Sequence, residues 1–125
     1  MTLPLAVYGT LRTGGGAQAV LGIEGRLDDL GPCLIPGRLM DLGRYPGLLP
    51  GEGRVRGDLF SFPDDEALAL IDWWEDYMAE DEPASLYLRR TVRLIEPAGM
   101  EAVVYYWNGP HHVGLREVAG GDWLA

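Results

Sequence analysis

The residues that could do chemistry are a turn near the start of the chain, a run of carboxylates, one thiol and one pair of imidazoles. The turn, Tyr8 to Arg12, comes directly after the apolar run Leu3 to Val7, where a strand must end. Gly9 can take backbone angles closed to other residues, and the Thr10 hydroxyl can satisfy local amides. Successive N–H groups in a concave turn attract anions and carbonyl oxygens. The pattern predicts an oxygen-binding turn, with an ordinary strand corner as the alternative.

A window of carboxylates in the middle of the chain, residues 57–88, contains no basic residue. Most of these carboxylates are expected to form a solvated face. At about 100° per residue, however, Glu75 falls beside Leu68 on the flank of the apolar stripe of a predicted helix. On the same helix Asp72 and Asp76 are expected to point further round, toward water. Glu75 is therefore the half-buried carboxylate of the group.

The pKa of Glu75 is expected to lie above the ~4.3 of a free glutamate, because burial and neighbouring carboxylates both disfavour the ionised form. An arginine could reverse that shift. If Arg89 or Arg90 lies against Glu75, the glutamate is a structural ion-pair residue and its pKa falls. Both interpretations stay open on the residues alone.

The thiol and the imidazoles give weaker candidates. His111-His112 is the only histidine pair, and a metal site needs two or more further ligands. Cys33 is the only cysteine and lies in an apolar run, where a thiol is usually inert packing and has no partner for a disulfide. We therefore expect no metal site and no cysteine nucleophile.

The glycine run Thr13-Gly14-Gly15-Gly16 does not complete a phosphate-binding motif. A P-loop needs Lys followed by Ser or Thr where Gly15 and Gly16 stand, and a dinucleotide fingerprint needs a third glycine where Ala19 stands. The run is expected to be a flexible lead into a short helix, Ala17 to Leu21. No cofactor is predicted.

Composition excludes several classes of function. The 125 residues carry a formal charge of −9, and all ten basic residues are arginine. Without lysine there is no Schiff-base chemistry, and without a basic cluster nucleic acid is an unsuitable partner. No stretch approaches the ~18 apolar residues that span a bilayer, and Met1 to Pro4 lacks a signal-like character. One domain, residues 1–125, with no membrane partner and a cytoplasmic location, is expected.

The elements that must position the turn and Glu75 are short strands and one good helix. The helix is predicted to begin near Pro63, with acidic residues in its first turn. Its apolar stripe recurs at spacings of three and four: Ala67, Leu70, Ile71 and Trp74.

Strands are predicted on both sides of this helix. Arg26 to Leu42 suits two short strands, and Pro46-Gly47 and Pro50-Gly51 mark turns. Arg54 to Leu59 and Leu86 to Glu96 alternate with the period of half-buried strands. Several short strands with two helices indicate an α+β domain.

Two further predictions concern the C-terminal third. Glu80 to Pro83 is expected to be an acidic surface loop. Ala102 to Trp107 is apolar on both faces, as in a strand buried in the middle of a sheet, and Trp123 is expected to dock as a lid on the core.

Five stretches resemble one known family. They occur in that family's order and at similar spacing along nearly the whole chain, and they are Val7-Tyr8-Gly9-Thr10-Leu11-Arg12, Tyr45-Pro46-Gly47-Leu48, Val55-Arg56-Gly57-Asp58-Leu59-Phe60, Leu70-Ile71-Asp72-Trp73-Trp74-Glu75 and Tyr87-Leu88-Arg89. The chain is similar to the gamma-glutamylcyclotransferase-like, or AIG2-like, proteins. That resemblance implies a small mixed β-barrel with a few peripheral helices.

The resemblance also implies an enzyme that performs acyl transfer by intramolecular cyclisation. Such an enzyme closes the glutamyl part of a γ-glutamyl amine or amino acid to 5-oxoproline and releases the free amine. In the family the glutamate of the L-D-x-x-E run is the proton acceptor, which corresponds to Glu75. The turn that holds the glutamyl part corresponds to Tyr8, Gly9, Thr10 and Leu11. Where the family often has glycine after the glutamate, this chain has Asp76, which adds charge near the site.

A second class of function stays open, a metabolite-binding module that keeps the pocket without turnover. The presence of Glu75 favours the enzyme, because a pure binder gains little from a carboxylate beside an amine and a carbonyl. A purely structural interaction domain is disfavoured by the turn. None of these motifs encodes the leaving amine or the oligomeric state.

Overall fold

The computed structural model describes residues 3–12, 15–23, 25–62, 65–109 and 116–124. In chain order its elements are β1 (Leu5–Val7), α1 (Ala17–Leu21), β2 (Asp28–Asp41), β3 (Pro46–Ser61), α2 (Asp65–Trp74), β4 (Tyr87–Arg93), β5 (Glu101–Trp107) and β6 (Arg116–Glu117). Single 3₁₀ turns occur at Glu82–Ala84 and Ala119–Gly121. Within the described residues the strands form one six-stranded sheet in the order β4-β5-β1-β3-β2-β6. The sheet is mixed, because β1 runs antiparallel to β3 and parallel to β5.

Both faces of the sheet are buried, because its central strands are apolar on both sides. In β5, Tyr105 and Trp107 join the core under the helices, whereas Ala102 and Val104 join a second core on the opposite face. The expectation of a central strand at Ala102 to Trp107 is confirmed, since β5 lies between β4 and β1. β1 is therefore held between two cores up to the point where the turn begins.

The prediction of two short strands over Arg26 to Leu42 is wrong, because β2 is one long strand of 14 residues. Pro32 and Pro36 suggested breaks, but both share the orientation of Leu34, whose N–H and carbonyl face Glu96 rather than β3. A proline there removes no hydrogen bond from the β2–β3 ladder.

The turns predicted at Pro46-Gly47 and Pro50-Gly51 are also wrong, since both lie inside the 16-residue strand β3. The reversal comes earlier, where the Leu42 N–H donates to the Tyr45 carbonyl at 3.1 Å. Near Pro50 the strand is irregular: Arg38 pairs with Leu49 and Pro36 with Arg54, so four residues of β3 lie opposite Gly37. Proline and glycine here mark a bulge.

Both predicted helices are present. α1 spans Ala17–Leu21 as expected, and α2 begins within the described residues at Asp65, with Pro63 outside them. Ala67 and Ile71 of the predicted stripe are fully buried, and Leu70 and Trp74 pack partly buried against the same core. Neither helix of the described chain has the length and apolar composition needed to cross a bilayer.

The sheet curls into a half-barrel with the helices on its outer side. The curl brings β2 to the chain just after β4, where the Leu34 N–H donates to the Glu96 carbonyl at 2.9 Å. Trp123, partly buried, packs against the core on the face away from the helices, as the lid prediction expected. The predicted mixed α+β barrel is thus confirmed as a curled half-barrel with two helices.

Candidate active site

The turn after β1 and the glutamate after α2 line one pocket of about 370 Å³. All five predicted site residues border it: Tyr8, Gly9, Thr10, Leu11 and Glu75. The remaining lining residues are Ala6, Val7, Arg44, Tyr45, Pro46, Trp74, Leu86, Tyr87 and Tyr105. Residues more than sixty positions apart in sequence therefore face the same space.

The turn is oriented by hydrogen bonds to its carbonyl groups. The Gly9 carbonyl accepts from the Arg12 N–H at 3.1 Å, and the Thr10 carbonyl accepts from the Ala17 N–H at 3.0 Å. The Leu11 carbonyl accepts from the Gln18 side-chain amide at 2.6 Å. All three carbonyls are thus held by the segment that leads into α1.

The N–H groups of the same residues are available to a ligand. Within the described part of the chain, the amides of Gly9, Thr10 and Leu11 donate no hydrogen bond. Arg12 fixes the far end of the turn through ion pairs with Asp58 at 3.3 Å and Asp122 at 2.7 Å. The arrangement can present donors to a carboxylate or to a developing oxyanion.

Glycine is required in the turn for close packing. The backbone of Gly9 does not lie in the left-handed region, so the expectation that unusual backbone angles select this glycine is wrong. A Cβ at Gly9 would lie 2.9 Å from Cγ of Pro46. A Cβ at Gly15 would collide with the Thr10 carbonyl. The first of these contacts sets how closely the turn approaches the opposite wall of the pocket.

Glu75 extends the last turn of α2, where its N–H donates to the Ile71 carbonyl at 2.9 Å. The residue is half-buried. Its carboxyl group has no hydrogen-bond or ion-pair partner among the described residues. No fully buried side-chain oxygen in that part of the chain lacks a partner, so the carboxyl oxygens must be open to the pocket.

Burial raises the pKa of Glu75 from its ordinary 4.5 to about 8, and the negative charge of Asp72 adds to the shift. The predicted direction is confirmed. An acid with this pKa exchanges its proton near neutral pH, which suits a group that must both accept and return one.

The orientation predicted for Asp72 is wrong, because its carboxylate is half-buried and does not face open water. It accepts hydrogen bonds from Arg89 and from the Tyr105 hydroxyl. The reason is that β4 and β5 pass beneath this side of α2 and supply both donors. The outward orientation expected for Asp76 is correct, since this residue is exposed.

The ion-pair alternative for Glu75 is not what the structure shows. Arg89 pairs with Asp72, and Arg90 pairs with Glu82 at 2.8 Å. Both arginines are therefore engaged elsewhere on the acidic segment. The region around residues 80–83 is a turn leading into the 3₁₀ segment, in which Glu80 and Asp81 are exposed, as predicted for a surface loop.

Tyrosines form the inner wall of the pocket. The Tyr8 hydroxyl donates to the Tyr105 carbonyl, and the Tyr87 hydroxyl donates to the Pro46 carbonyl at 2.7 Å. Burial raises the pKa of both hydroxyls. Both hydroxyls therefore remain neutral. Their hydrogen bonds tie the turn to β5 and the Pro46 wall to β4.

Residue types alone did not identify Arg44, Tyr87 or Tyr105 as pocket residues. Tyr87 lies in one of the family-like stretches, and Arg44 directly precedes another, which is the signal that could have singled them out. Tyr105 gave no such signal, because it lies in an apolar run that predicts only a buried strand.

Cys33, one of the weaker candidates, is not among the residues that line the pocket. Cys33 is buried in the core opposite the helices, and burial raises the pKa of its thiol to about 12. His111 and His112 lie outside the described residues. Among the residues that are described, no group of three His, Cys, Asp or Glu side chains is arranged to hold a metal ion.

Comparison with known proteins identifies the family. The family model for gamma-glutamyl cyclotransferase, AIG2-like, matches residues 5–125. This chain belongs to that family. A gamma-glutamylcyclotransferase family protein of Citrobacter rodentium is 32% identical over 123 residues, covering 94% of this chain and 92% of the relative. A protein of Vibrio cholerae named as a putative gamma-glutamylcyclotransferase is 32% identical over 117 residues, covering 94% and 91%.

An AIG2-like protein from Mus musculus superimposes with a TM-score of 0.74 at 22% identity. The match covers 97% of this chain and 87% of the mouse chain. At this identity the likeness shows the fold alone. The half-barrel with its two helices is thus a gamma-glutamyl cyclotransferase, AIG2-like fold.

Proposed function

We propose that this chain cyclises the glutamyl part of a γ-glutamyl amine or amino acid to 5-oxoproline and releases the free amine, without a cofactor. The observation that carries the proposal is one pocket in which Glu75, without a hydrogen-bond partner among the described residues, shares the lining with a turn whose amides are available. Family membership supports it. Its expected setting is the cytoplasm, with a small molecule as partner.

The reaction demands little more than positioning. The α-amine and the γ-carbonyl belong to one molecule, so holding the folded conformer supplies an effective concentration that can reach roughly 10⁵ M. A pocket of about 370 Å³ with a tyrosine wall is suited to holding a small folded substrate and excluding water from it.

Glu75 is assigned two proton transfers. Its carboxylate accepts a proton from the α-ammonium, and the free amine then attacks the γ-carbonyl carbon to form a tetrahedral oxyanion. When the oxyanion collapses, the bond to the leaving nitrogen breaks, and that nitrogen takes the proton from the Glu75 carboxyl group. The ring nitrogen, which holds two hydrogens after the attack, passes one of them to the released amine, so the products are neutral lactam N–H and an ammonium ion. The glutamate ends the cycle as it began, ready for a second turnover.

The pKa of Glu75 fits both transfers. An α-ammonium loses its proton near pH ~7.7–8.0, and the pKa of Glu75 is about 8. Proton transfer between groups of matched pKa costs little free energy in either direction. A carboxyl group with an ordinary pKa of 4.5 would accept the proton poorly.

The turn amides are assigned to substrate oxygens. Gly9, Thr10 and Leu11 line the pocket, and in the described part of the chain their carbonyls are held by hydrogen bonds whereas their N–H groups donate none. They suit either the α-carboxylate or the tetrahedral oxyanion. A substrate with an amidated α-carboxylate distinguishes these roles: weaker binding indicates that the amides recognise the carboxylate, and unchanged binding indicates that they serve the oxyanion.

The test is 5-oxoproline release over a panel of γ-glutamyl dipeptides and γ-glutamyl amines, followed by liquid chromatography. At least one compound should give 5-oxoproline and free amine in equal amounts. If several compounds bind by calorimetry and none releases 5-oxoproline, the chain is a binding module and the proposed reaction is wrong.

A further inference from the structure

Arg44 is the feature of the pocket that the proposed reaction leaves unused. It lies in the reversal between β2 and β3, which is fixed by the bond from Leu42 to Tyr45 and by the Gly43 N–H donating to Asp41 at 2.7 Å. The next residues, Tyr45 and Pro46, form the wall that meets the turn. Arg44 is exposed and also borders the pocket, so it stands at the rim.

Only two residues that line the pocket in the described chain carry a formal charge, Glu75 and Arg44. Within that part of the chain the Arg44 guanidinium has no hydrogen-bond or ion-pair partner. The other nearby arginines differ: Arg12 and Arg89 are both held by carboxylates. An unpaired guanidinium at a pocket rim offers a planar fork that matches one carboxylate through two N–H bonds.

The orientation of the substrate in the pocket determines which of its carboxylates meets Arg44. The α-amine must reach the half-buried Glu75, and the α-carboxylate shares its carbon, so both belong to the inner part of the pocket. The available turn amides are there to bind the α-carboxylate or the oxyanion. With the glutamyl part bound in this way, we infer that the leaving group extends from the γ-carbonyl toward the rim.

The overall charge of the protein acts in the opposite direction. A chain of −9 attracts cations, which would favour a leaving group that carries an ammonium. At physiological ionic strength that attraction is screened over about 8 Å. A direct guanidinium contact at about 2.8 Å is much shorter than this length. The local cation therefore outweighs the distributed negative charge for a group at the rim.

We propose that Arg44 is a specificity residue that binds a carboxylate on the leaving group, so that γ-glutamyl amino acids are preferred over γ-glutamyl amines. The proposal rests on the proposed cyclisation for the orientation of the substrate. It assigns to Arg44 no part in the chemical step.

The test compares two ligands that differ by one carboxylate, γ-glutamyl-alanine and γ-glutamyl-ethylamine. Dissociation constants are measured by calorimetry in the Glu75→Gln protein, so that turnover does not interfere. The dipeptide should bind about 10-fold or more tightly, the usual scale of a hydrogen-bonded charge pair. Adding Arg44→Gln should bring the ratio of the two constants to about one, and Arg44→Lys should give an intermediate ratio because the charge stays and the fork is lost.

Arg93→Gln is the matched control, since Arg93 is exposed at the far end of β4 and outside the pocket lining. It should leave the ratio as it is. Equal affinity for the two ligands would overturn the proposal, as would a ratio unchanged by Arg44→Gln. Equal loss of affinity for both ligands would also overturn it, because Arg44 would then bind the glutamyl α-carboxylate.

A third ligand, the γ-glutamyl derivative of 1,4-diaminobutane, tests the competing charge effect. Tighter binding of this cationic ligand than of γ-glutamyl-alanine would overturn the proposal in favour of the overall negative charge. Failure of the cyclisation itself is seen separately, as no 5-oxoproline release from the wild-type chain. The dipeptide preference is still measured in that case, because binding does not depend on turnover.

Discussion

Asp72, on α2, and Glu75, directly after α2, are two carboxylates about one helical turn apart in opposite environments. Asp72 is surrounded by donors, with Arg89 on one oxygen and the Tyr105 hydroxyl on the other. Glu75 has no such partner within the described chain and faces the pocket. The difference is set by the strands, since β4 and β5 provide a cation and a hydroxyl to the first position only.

The comparison shows how the same chemical group serves two purposes. The ion pair with Arg89 holds the Asp72 carboxylate in place, and the negative charge of Asp72 adds to the raised pKa of Glu75. A carboxylate without donors in a half-buried site keeps its proton to higher pH. One carboxylate thus holds an arginine and a tyrosine in place, whereas the other, three residues on, can exchange a proton with a ligand in the pocket.

The largest expected effect comes from removing the exchangeable proton. Glu75→Gln keeps the shape of the side chain but cannot accept a proton, so 5-oxoproline release should fall by about 10²–10⁴-fold. Release is measured together with circular dichroism and the thermal midpoint. Asp76→Asn, one residue away and exposed, should leave release as it is. Release from Glu75→Gln at the wild-type rate would remove Glu75 from the mechanism.

The next effect changes the geometry of the pocket without changing its charge. In Gly9→Val the new side chain meets Pro46. A Cβ alone would lie 2.9 Å from the Pro46 ring, and the two methyl groups of valine need more room than that. We expect about 1–3 kcal/mol of lost stability and a fall in kcat/KM of up to about 10²-fold from misplaced amides. The pH dependence should keep its wild-type position.

Thermal midpoint and kinetics measure both consequences for Gly9→Val. The control is Asp65→Asn on the exposed first turn of α2, which should alter neither quantity. Wild-type kinetics in Gly9→Val would mean that the turn is only a corner after a strand.

A smaller effect separates the two carboxylates directly. Asp72→Asn removes the negative charge beside Glu75 and leaves Arg89 unpaired, and both changes favour ionised Glu75. Its pKa should move below the wild-type value of about 8. Carbon-13 NMR titration of labelled glutamate measures the midpoint, with Asp76→Asn as the exposed control. A midpoint shifted equally by both variants would contradict the specific role of Asp72.

The smallest effect concerns stability. The pKa of Glu75 is higher in the folded chain, about 8, than its ordinary 4.5. The folded state therefore binds more protons across this window, and stability is lost as pH rises through it. Glu75→Gln lacks this loss, so its thermal midpoint minus that of wild type should grow from pH 5 to pH 9. Several degrees are expected, since roughly 1 kcal/mol shifts a small domain by about 4 °C. A difference independent of pH would contradict the raised pKa.

Local patterns were sufficient to predict much of the frame. α1, the stripe of α2 and the central strand β5 follow from apolar spacing, because spacing reports which faces are buried. The half-buried position of Glu75 follows for the same reason. The closure of the sheet followed from the family resemblance and not from any pattern, since spacing carries no information on how strands curl.

The errors have a common physical origin in partners distant along the chain. The prediction that Asp72 faces water fails because its partners, Arg89 and Tyr105, come from other strands and cannot be seen in the spacing of the helix. Gly9 was explained by its own backbone, whereas the contact that requires it comes from Pro46. Pro32 looked like a break because its orientation relative to β3 is not visible in the sequence. Arg44 could not be placed at a pocket rim before the reversal that carries it was known.

The prolines of β2 have a consequence for association between molecules. Along the outer side of this strand, Pro32 and Pro36 have no N–H, and the N–H between them, on Leu34, is used by Glu96. A strand from another chain seeking donors at these three positions would find none. The stretch of β2 that β6 does not cover is therefore a poor template for edge-to-edge pairing, and the protein gains this protection without a charged residue at these three positions.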